Sequence, residues 1–436
     1  MVTKTLFNRI IPLLIVLSLV LSLLSCGTVL SNNDLLKNDA VTYRLSMEES
    51  IPEFNQDLFA TVEVCFNTYY YIALESNESL AAKTIAAYDE FIRDEIDAED
   101  KAAVTKALID CYIYAIGDPY SFYRLKEETN DYDTDMSGSF VGIGVTVIRN
   151  DLEGTILITG VEQDSPAFKA GIQVDDYIIG VNGERVSEIG ALATVNKIKG
   201  EVDTEVSVTV LRGNDEITFE LIRKKITETT VSYQMIDGTK TGYIKIKNFK
   251  GNTADQFKEA VDAIEAAGAN AVIFDVRQNP GGYLSAVTSM ISYLVPSNTK
   301  IASFSSSKPT VYSSHGTAYE PTDHVLTIPL VVLCNENSAS ASELFTAAMR
   351  DYNDMGVLSS TVVGNVTYKK GIMQSTISFN DGSSLTLTTA LYNPPSDTNF
   401  HGVGVTPDRF VLDGEDYIDV ALEEIEKLIS NAPSDI

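Results

Sequence analysis

The spacing of apolar residues changes its period twice along this chain, and no single layer of structure accommodates both changes. From residue 46 to about 130 apolar positions recur every three to four residues, the spacing of helices. From about 136 they alternate instead. FVGIGVTV (140–147), TILITGV (155–161), DYIIGVNG (176–183), VSVTVLR (206–212) and ITFELI (217–222) read as short strands separated by turn residues. SPAFKAGI (165–172) reads as a helical turn closed by Gly171. After about 229 strands and helices take turns. YIKI (243–246) leads to a helix over 253–267, where Phe257, Ala260, Val261 and Ile264 share one face and Gly268 ends it. The strand AVIFDV (271–276), the loop RQNPGG (277–282) and a helix to about Leu294 follow. The strand PLVVLC (329–334) then runs through NENSASASELF (335–345) into a helix near 340–352.

The expected fold is a multidomain α/β chain. Residues 46–130 form an N-terminal helical region, 131–228 an inserted β-rich module, and 229–436 an α/β core of strand–helix layers. In such a core ligands bind at the carboxyl ends of the strands. Both the GG loop and the serine segment fall at such ends. The chain has 436 residues, enough for two or three cores. Its formal net charge of −29 repels nucleic acid and anionic membrane surfaces, which sets nucleic-acid binding aside. The acidic stretch 88–101, YDEFIRDEIDAEDK, reads as a solvated helix face.

The N-terminus reads as a targeting segment. Lys4 and Arg9 precede an apolar run from Ile10 to Leu24, short for a membrane span and suited to a signal sequence. The run ends in LLSCG, which resembles a bacterial lipoprotein box. The resemblance implies removal of 1–25, a lipid on Cys26, a tether over 26–45, and a place at the cell membrane outside the cytoplasm. The alternative is an uncleaved anchor. Cys65, Cys111 and Cys334 are an odd set that makes no disulfide framework; the first two lie in helical patterns and read as buried thiols or as a pair. His315, His324 and His401 are scattered in loop-like sequence. No metal site and no cofactor is expected.

FVGIGV, SPA…AGI and DDYI…VNG resemble a PDZ domain of the bacterial protease type. Gly142 and Gly144 free the backbone N–H groups around Ile143 for a carboxylate, and the strand from Val145 can pair with an extended peptide. Asp175 stands where that family usually has glycine. More widely, the chain resembles the carboxyl-terminal processing peptidases, or tail-specific proteases. The motifs are DPYSFY (118–123), the PDZ module, DVRQNPGG (275–282), SASASE (338–343), VGNVTYKKG (363–371) and GVGVTPD (402–408).

That resemblance implies a serine endopeptidase with a Ser/Lys dyad. Ser340 is the nucleophile, Lys370 the general base, and Gln374 the residue that orients the lysine. The oxyanion hole comes from the backbone N–H groups of Ala341 and of the Gly281–Gly282 loop. Asp351 supports the site, and Ser338 and Ser342 cap the helix or allow close packing. Lys369 stands where the family usually has glycine. On a strand Lys369 and Lys370 point to opposite faces, while Lys370 and Gln374 share one. Ser340 and Lys370 are 30 residues apart, which fits an added surface loop near 353–360. The expected partners are protein C-terminal tails and the membrane that holds the lipid, and the helical region is a candidate for self-association. Two rival readings are a pseudoprotease that binds tails without cutting them and a carrier of apolar ligands.

Overall fold

The computed structural model describes residues 40–150, 154–307, 317–318 and 324–431. Residues 1–39, with Cys26 and the signal sequence, and His315 lie outside that range. The chain divides into two compact units. One contains Met1–Thr129, Ser303–Thr317 and Ile372–Asn393; the other contains Asn130–Ala302, Ala318–Gly371 and Pro394–Ile436. The helical region therefore shares its unit with two segments from the part of the chain read as the α/β core.

In the first unit the described helices are Val41–Ser46, Gln56–Tyr69, Asn77–Phe91 and Lys101–Ile116. The first begins inside the expected tether. Its open end is satisfied by the buried carboxylate of Glu63, which accepts from the N–H groups of Val41 and Thr42 at 2.9 Å each. The acidic stretch 88–101 is not one helix face. The helix stops at Phe91, and Asp100 opens the next one by accepting from the N–H groups of Ala102 and Ala103. Cys65 and Cys111 are separate, buried thiols, each pushed up to about 12 by burial. Phe59, Phe66 and Tyr112 meet in this core, Phe66 edge-on to Tyr112 at 5.7 Å. Leu385 and Leu387 join them from the strand Ser384–Asn393, which pairs with Phe122–Arg124, Ala302–Ser305 and Ile372–Ser378.

The second unit carries two sheets that follow the two later periods. The β-rich module is an antiparallel sheet in the order Val145–Asn150, Thr155–Val161, Tyr177–Val181, Glu205–Arg212, Asp215–Ile222. Ile156, Ile158, Ile178, Val206, Val208 and Val210 fill its inner face, as the alternation requires. A two-stranded ribbon, Ser139–Gly142 against Lys224–Thr227, carries the chain in and out of the module.

The other sheet runs Val231–Met235, Thr241–Ile246, Ala271–Asp275, Leu330–Cys334, Ser360–Gly364, Arg409–Phe410. Only the first pairing is antiparallel; the rest are parallel. Every residue of Ala271–Asp275 and Leu330–Cys334 is buried, as central strands covered on both faces must be. Val420, Ala421 and Ile425 of the helix Tyr417–Asn431 pack with Val331, Leu333 and Val363. Elsewhere Phe274 meets Phe257 at 5.2 Å and Phe345 at 5.6 Å, which ties the helices Thr253–Ala266 and Ala341–Asp354 to the sheet.

Candidate active site

Two loops leave neighbouring parallel strands at their carboxyl ends and are stitched together by buried polar groups. The loop after Ala271–Asp275 carries Asn279, which is fully buried. Its side chain donates to the carbonyl of Ile246 at 3.0 Å and accepts from the N–H of Gly281 at 2.9 Å. Its carbonyl accepts from the N–H of Ala339 and the hydroxyl of Ser342, both at 2.9 Å. Ser338 Oγ donates to the carbonyl of Val276 at 2.8 Å and accepts from the N–H of Asn335 at 2.9 Å. Ser338 and Ser342 are therefore ties between the loops, not helix caps.

At the root of the first loop Asp275 is wholly buried and binds Arg277, Lys245 and the hydroxyl of Tyr243. Burial opposes its charge, but the hydrogen bonds and charges of Arg277 and Lys245 win and hold the carboxyl below its ordinary value.

Ser340 stands at the N-cap of the helix Ala341–Asp354 with φ 56° and ψ −114°, a conformation that costs an L residue roughly 1–3 kcal/mol. Strand, sharp turn and helix succeed one another here, the arrangement that lifts a side chain clear of its sheet. The backbone of Gly281 presses against it. A Cβ on Gly281 would lie 2.7 Å from the carbonyl oxygen of Ala339 and 2.9 Å from Ser340 Cβ, and φ there is 99°. Only glycine fits. The Gly281 N–H is already engaged by Asn279, and no hydrogen bond from Gly282 N–H or Ala341 N–H is found among the described residues.

Glu343, fully buried one turn into the helix, joins the serine to the lysine segment. Its Oε2 accepts from the N–H of Ser340 at 2.9 Å and from the N–H of Lys370 at 2.7 Å. Its Oε1 accepts from the N–H of Lys369 and the hydroxyl of Thr367, both at 2.6 Å. Four donors on one carboxylate fix the two segments against each other. Asp351, on the same helix, accepts from the N–H of Ser396 at 2.9 Å.

Lys369 and Lys370 do not lie on a strand, contrary to expectation. The strand begins at Ile372, so Lys369 and Lys370 lie in irregular backbone, and a bulge between Met373 and Gln374 shifts the alternation beyond them. Lys369 has φ 85°. Gln374 sits on Ile372–Ser378, in the other compact unit, and donates to Thr388 Oγ1 at 3.3 Å. The span between serine and lysine contains a helix that runs to Asp354 and a strand from Ser360, which leaves only five residues of loop near 353–360.

In the β-rich module Gly142 ends the ribbon, Ile143 is buried, and Val145 starts the outermost described strand of its sheet. A Cβ on Gly144, where φ is 83°, would lie 2.2 Å from Ser165 Cβ, so the loop closes only over glycine. Ile143, Val145, Val147, Ile178, Val195 and Ile198 line a hollow of about 80 Å³ beside this strand.

Two family models match the chain. Residues 240–411 match peptidase family S41, and residues 140–222 match the PDZ domain. A "Probable CtpA-like serine protease" of Staphylococcus haemolyticus is 34% identical over 322 residues, 74% of this chain and 63% of that protein. The 240–411 region is thus that of a peptidase of family S41. A protein with the same description from Staphylococcus saprophyticus is 34% identical over 323 residues, covering 74% and 62%. The match spans somewhat under two thirds of these relatives. Among solved structures, a photosystem II D1 C-terminal processing protease is 22% identical, with 81% of this chain and 92% of that chain covered and a TM-score of 0.45.

Both positions where glycine was expected and another residue stands are left-handed. Asp175 has φ 71° and Lys369 φ 85°. The missing glycines thus mark real turns, held here by residues that carry the strain. Asn279 and Glu343 lie inside the DVRQNPGG and SASASE motifs but are not among the expected site residues. The S-x-x-E spacing of Ser340 and Glu343, that of a capping box, is the sequence signal that points to Glu343.

Proposed function

We propose that this chain is a serine endopeptidase that draws the unstructured C-terminal ends of proteins into its PDZ groove and cuts peptide bonds with a Ser340/Lys370 dyad. The observation that carries this reading is the shared acceptor. One buried carboxylate oxygen binds the backbone N–H of the strained Ser340 and that of Lys370. The lysine stem therefore leaves from a point fixed relative to the serine, as proximity catalysis requires.

In this reading Ser340 Oγ attacks the scissile carbonyl carbon while its proton passes to Lys370 Nζ. The N–H groups of Ala341 and Gly282 receive the developing oxyanion. Collapse breaks the C–N bond, and the lysine returns the proton to the leaving amine. Water then repeats the sequence on the acyl-serine and frees the enzyme. The PDZ groove supports tail capture: its edge strand Val145–Asn150 can accept an extended chain, Gly142–Gly144 a carboxylate, and the apolar hollow a terminal side chain.

We further propose that Cys26 is lipidated and that the enzyme works at the membrane outside the cytoplasm. LLSCG after a 15-residue apolar run supports this. No helix of the described residues is long and apolar enough to cross a membrane.

The test is cleavage of an unfolded protein ending in an apolar residue, by wild type, Ser340→Ala and Lys370→Ala. Cutting by wild type alone supports the dyad. Binding without cutting by wild type would replace it with a tail-binding pseudoprotease. Cys26→Ala should move the protein from the membrane fraction to the soluble one.

A further inference from the structure

Away from the serine, the helix Thr253–Ala266 brings Asp262 and Glu265 to His324, a residue 59 positions further on. One ligand atom from each of the three lies within 4.8 Å of the others. We propose that these side chains form a site for a borderline divalent cation of the zinc type.

The donor set argues for that class of ion. An imidazole nitrogen with two carboxylate oxygens suits Zn²⁺ and its neighbours better than Mg²⁺ or Ca²⁺, which take oxygen alone. Asp262 and Glu265 are three apart on one helix, so both project from the same face. His324 Nε2 and Glu265 Oε2 are already 3.0 Å apart, close to the ~3.3 Å between two ligands of a tetrahedral ion with bonds of ~2.0 Å. Asp262 is exposed, and with its ligand atom already within 4.8 Å of the other two a small closure completes three protein ligands, with water in the fourth place.

The surroundings are the stronger argument. A metal-binding histidine normally gives its other ring N–H to an oxygen that fixes the tautomer and the ring plane. His324 Nδ1 lies 2.6 Å from the carbonyl oxygen of Tyr293. With the proton on Nδ1, Nε2 is the ligand atom, and it is the nitrogen that faces Glu265. The Tyr293 ring stacks on the imidazole at 4.1 Å and 9°, and its hydroxyl donates to Asp262. One tyrosine thus orients two of the three ligands, as a supporting layer does around a metal. Simple ion pairing of His324 with Glu265 would need neither the stack nor the Asp262 bond.

The site would clip the chain that leads into the strand Leu330–Cys334 onto the helix Thr253–Ala266. It is independent of the dyad. Sequence spacing could not reveal it, because the histidine and the acids are far apart in the chain.

The test uses the full chain in detergent, stripped with a chelator and titrated with Zn²⁺ alone by calorimetry. The expected result is one saturable site per chain and a raised melting temperature. His324→Ala and Glu265→Gln should each weaken it by at least tenfold, and Tyr293→Phe by less, while His401→Ala leaves it unchanged. Circular dichroism and retained cleavage show that the variants fold. No saturable site in wild type, or the same site in both His324→Ala and Glu265→Gln, overturns the proposal.

Discussion

The backbone N–H groups of Ser340 and Lys370 bind the same oxygen, Glu343 Oε2, at 2.9 and 2.7 Å. The two residues are 30 apart in sequence, and this buried carboxylate is what holds their backbones in register. A position set by four charge-assisted bonds is stiff, and a dyad needs stiffness more than it needs any one contact.

Glu343→Gln keeps the shape and removes the charge. It also turns an amide NH₂ toward a cluster of N–H donors. Losing charge-assisted bonds of about 1.5–3 kcal/mol each should lower kcat by roughly 10- to 100-fold with KM nearly unchanged. Steady-state kinetics on a tail peptide measures this. A change in KM alone would mean that Glu343 shapes substrate binding and not the dyad.

Lys369 occupies a left-handed position, where glycine carries no steric cost. Lys369→Gly should relieve strain of roughly 1–2 kcal/mol, less some unfolded-chain entropy, for a net gain of about 0.5–1 kcal/mol. The urea midpoint should rise and cleavage should persist. Loss of cleavage with Lys370 intact would move the base to Lys369.

Gly281→Ala places a methyl group 2.7 Å from the carbonyl oxygen of Ala339 and 2.9 Å from Ser340 Cβ, at φ 99°. The Ser340 turn must shift, and on the proposed mechanism activity should fall by more than about 100-fold, since misplacement near 1 Å costs that much. Circular dichroism should still report a folded chain. Activity within tenfold of wild type would show that the loop has slack.

Asp275 carries the pH dependence of the loop root. Its folded value is lowered, so its stabilisation is complete above the ordinary carboxylate value of about 4 and is lost as pH falls through the lowered folded value. Stability should therefore drop below about pH 4, and Asp275→Asn should flatten that part of the profile. At neutral pH the same variant leaves Arg277 and Lys245 without their acid and should cost about 3 kcal/mol. Denaturant midpoints measured from pH 3 to 7 test both parts.

The α/β layers were legible because central strands such as AVIFD and LVVLC are apolar runs, and the helix Thr253–Ala266 shows its stripe openly. The β-rich module was legible because half-buried strands alternate. The grouping of 303–317 and 372–393 with the N-terminal helices was not, since it depends on pairings such as Phe122 with Thr386 across most of the chain. At the candidate site the motifs singled out Ser340, Lys370 and the glycines, and the structure brings the backbones of Ser340 and Lys370 to one carboxylate. The strand geometry assumed for Lys370 and Gln374 failed because Glu343 captures the backbone of the lysine segment and holds it out of the sheet. Asn279 stayed hidden for a related reason: its work is done through hydrogen bonds between loops, which leave no period to read.

The central claim is that Ser340 is a nucleophile activated by Lys370. The most direct measurement is the rate at which a fluorophosphonate probe labels the protein, with the adduct mapped by mass spectrometry. The account predicts one adduct, on Ser340, that forms at least 100-fold more slowly in Lys370→Ala and at nearly the wild-type rate in Lys369→Ala. Labelling of Ser340 at the same rate in Lys370→Ala, or an adduct on another serine, would contradict it.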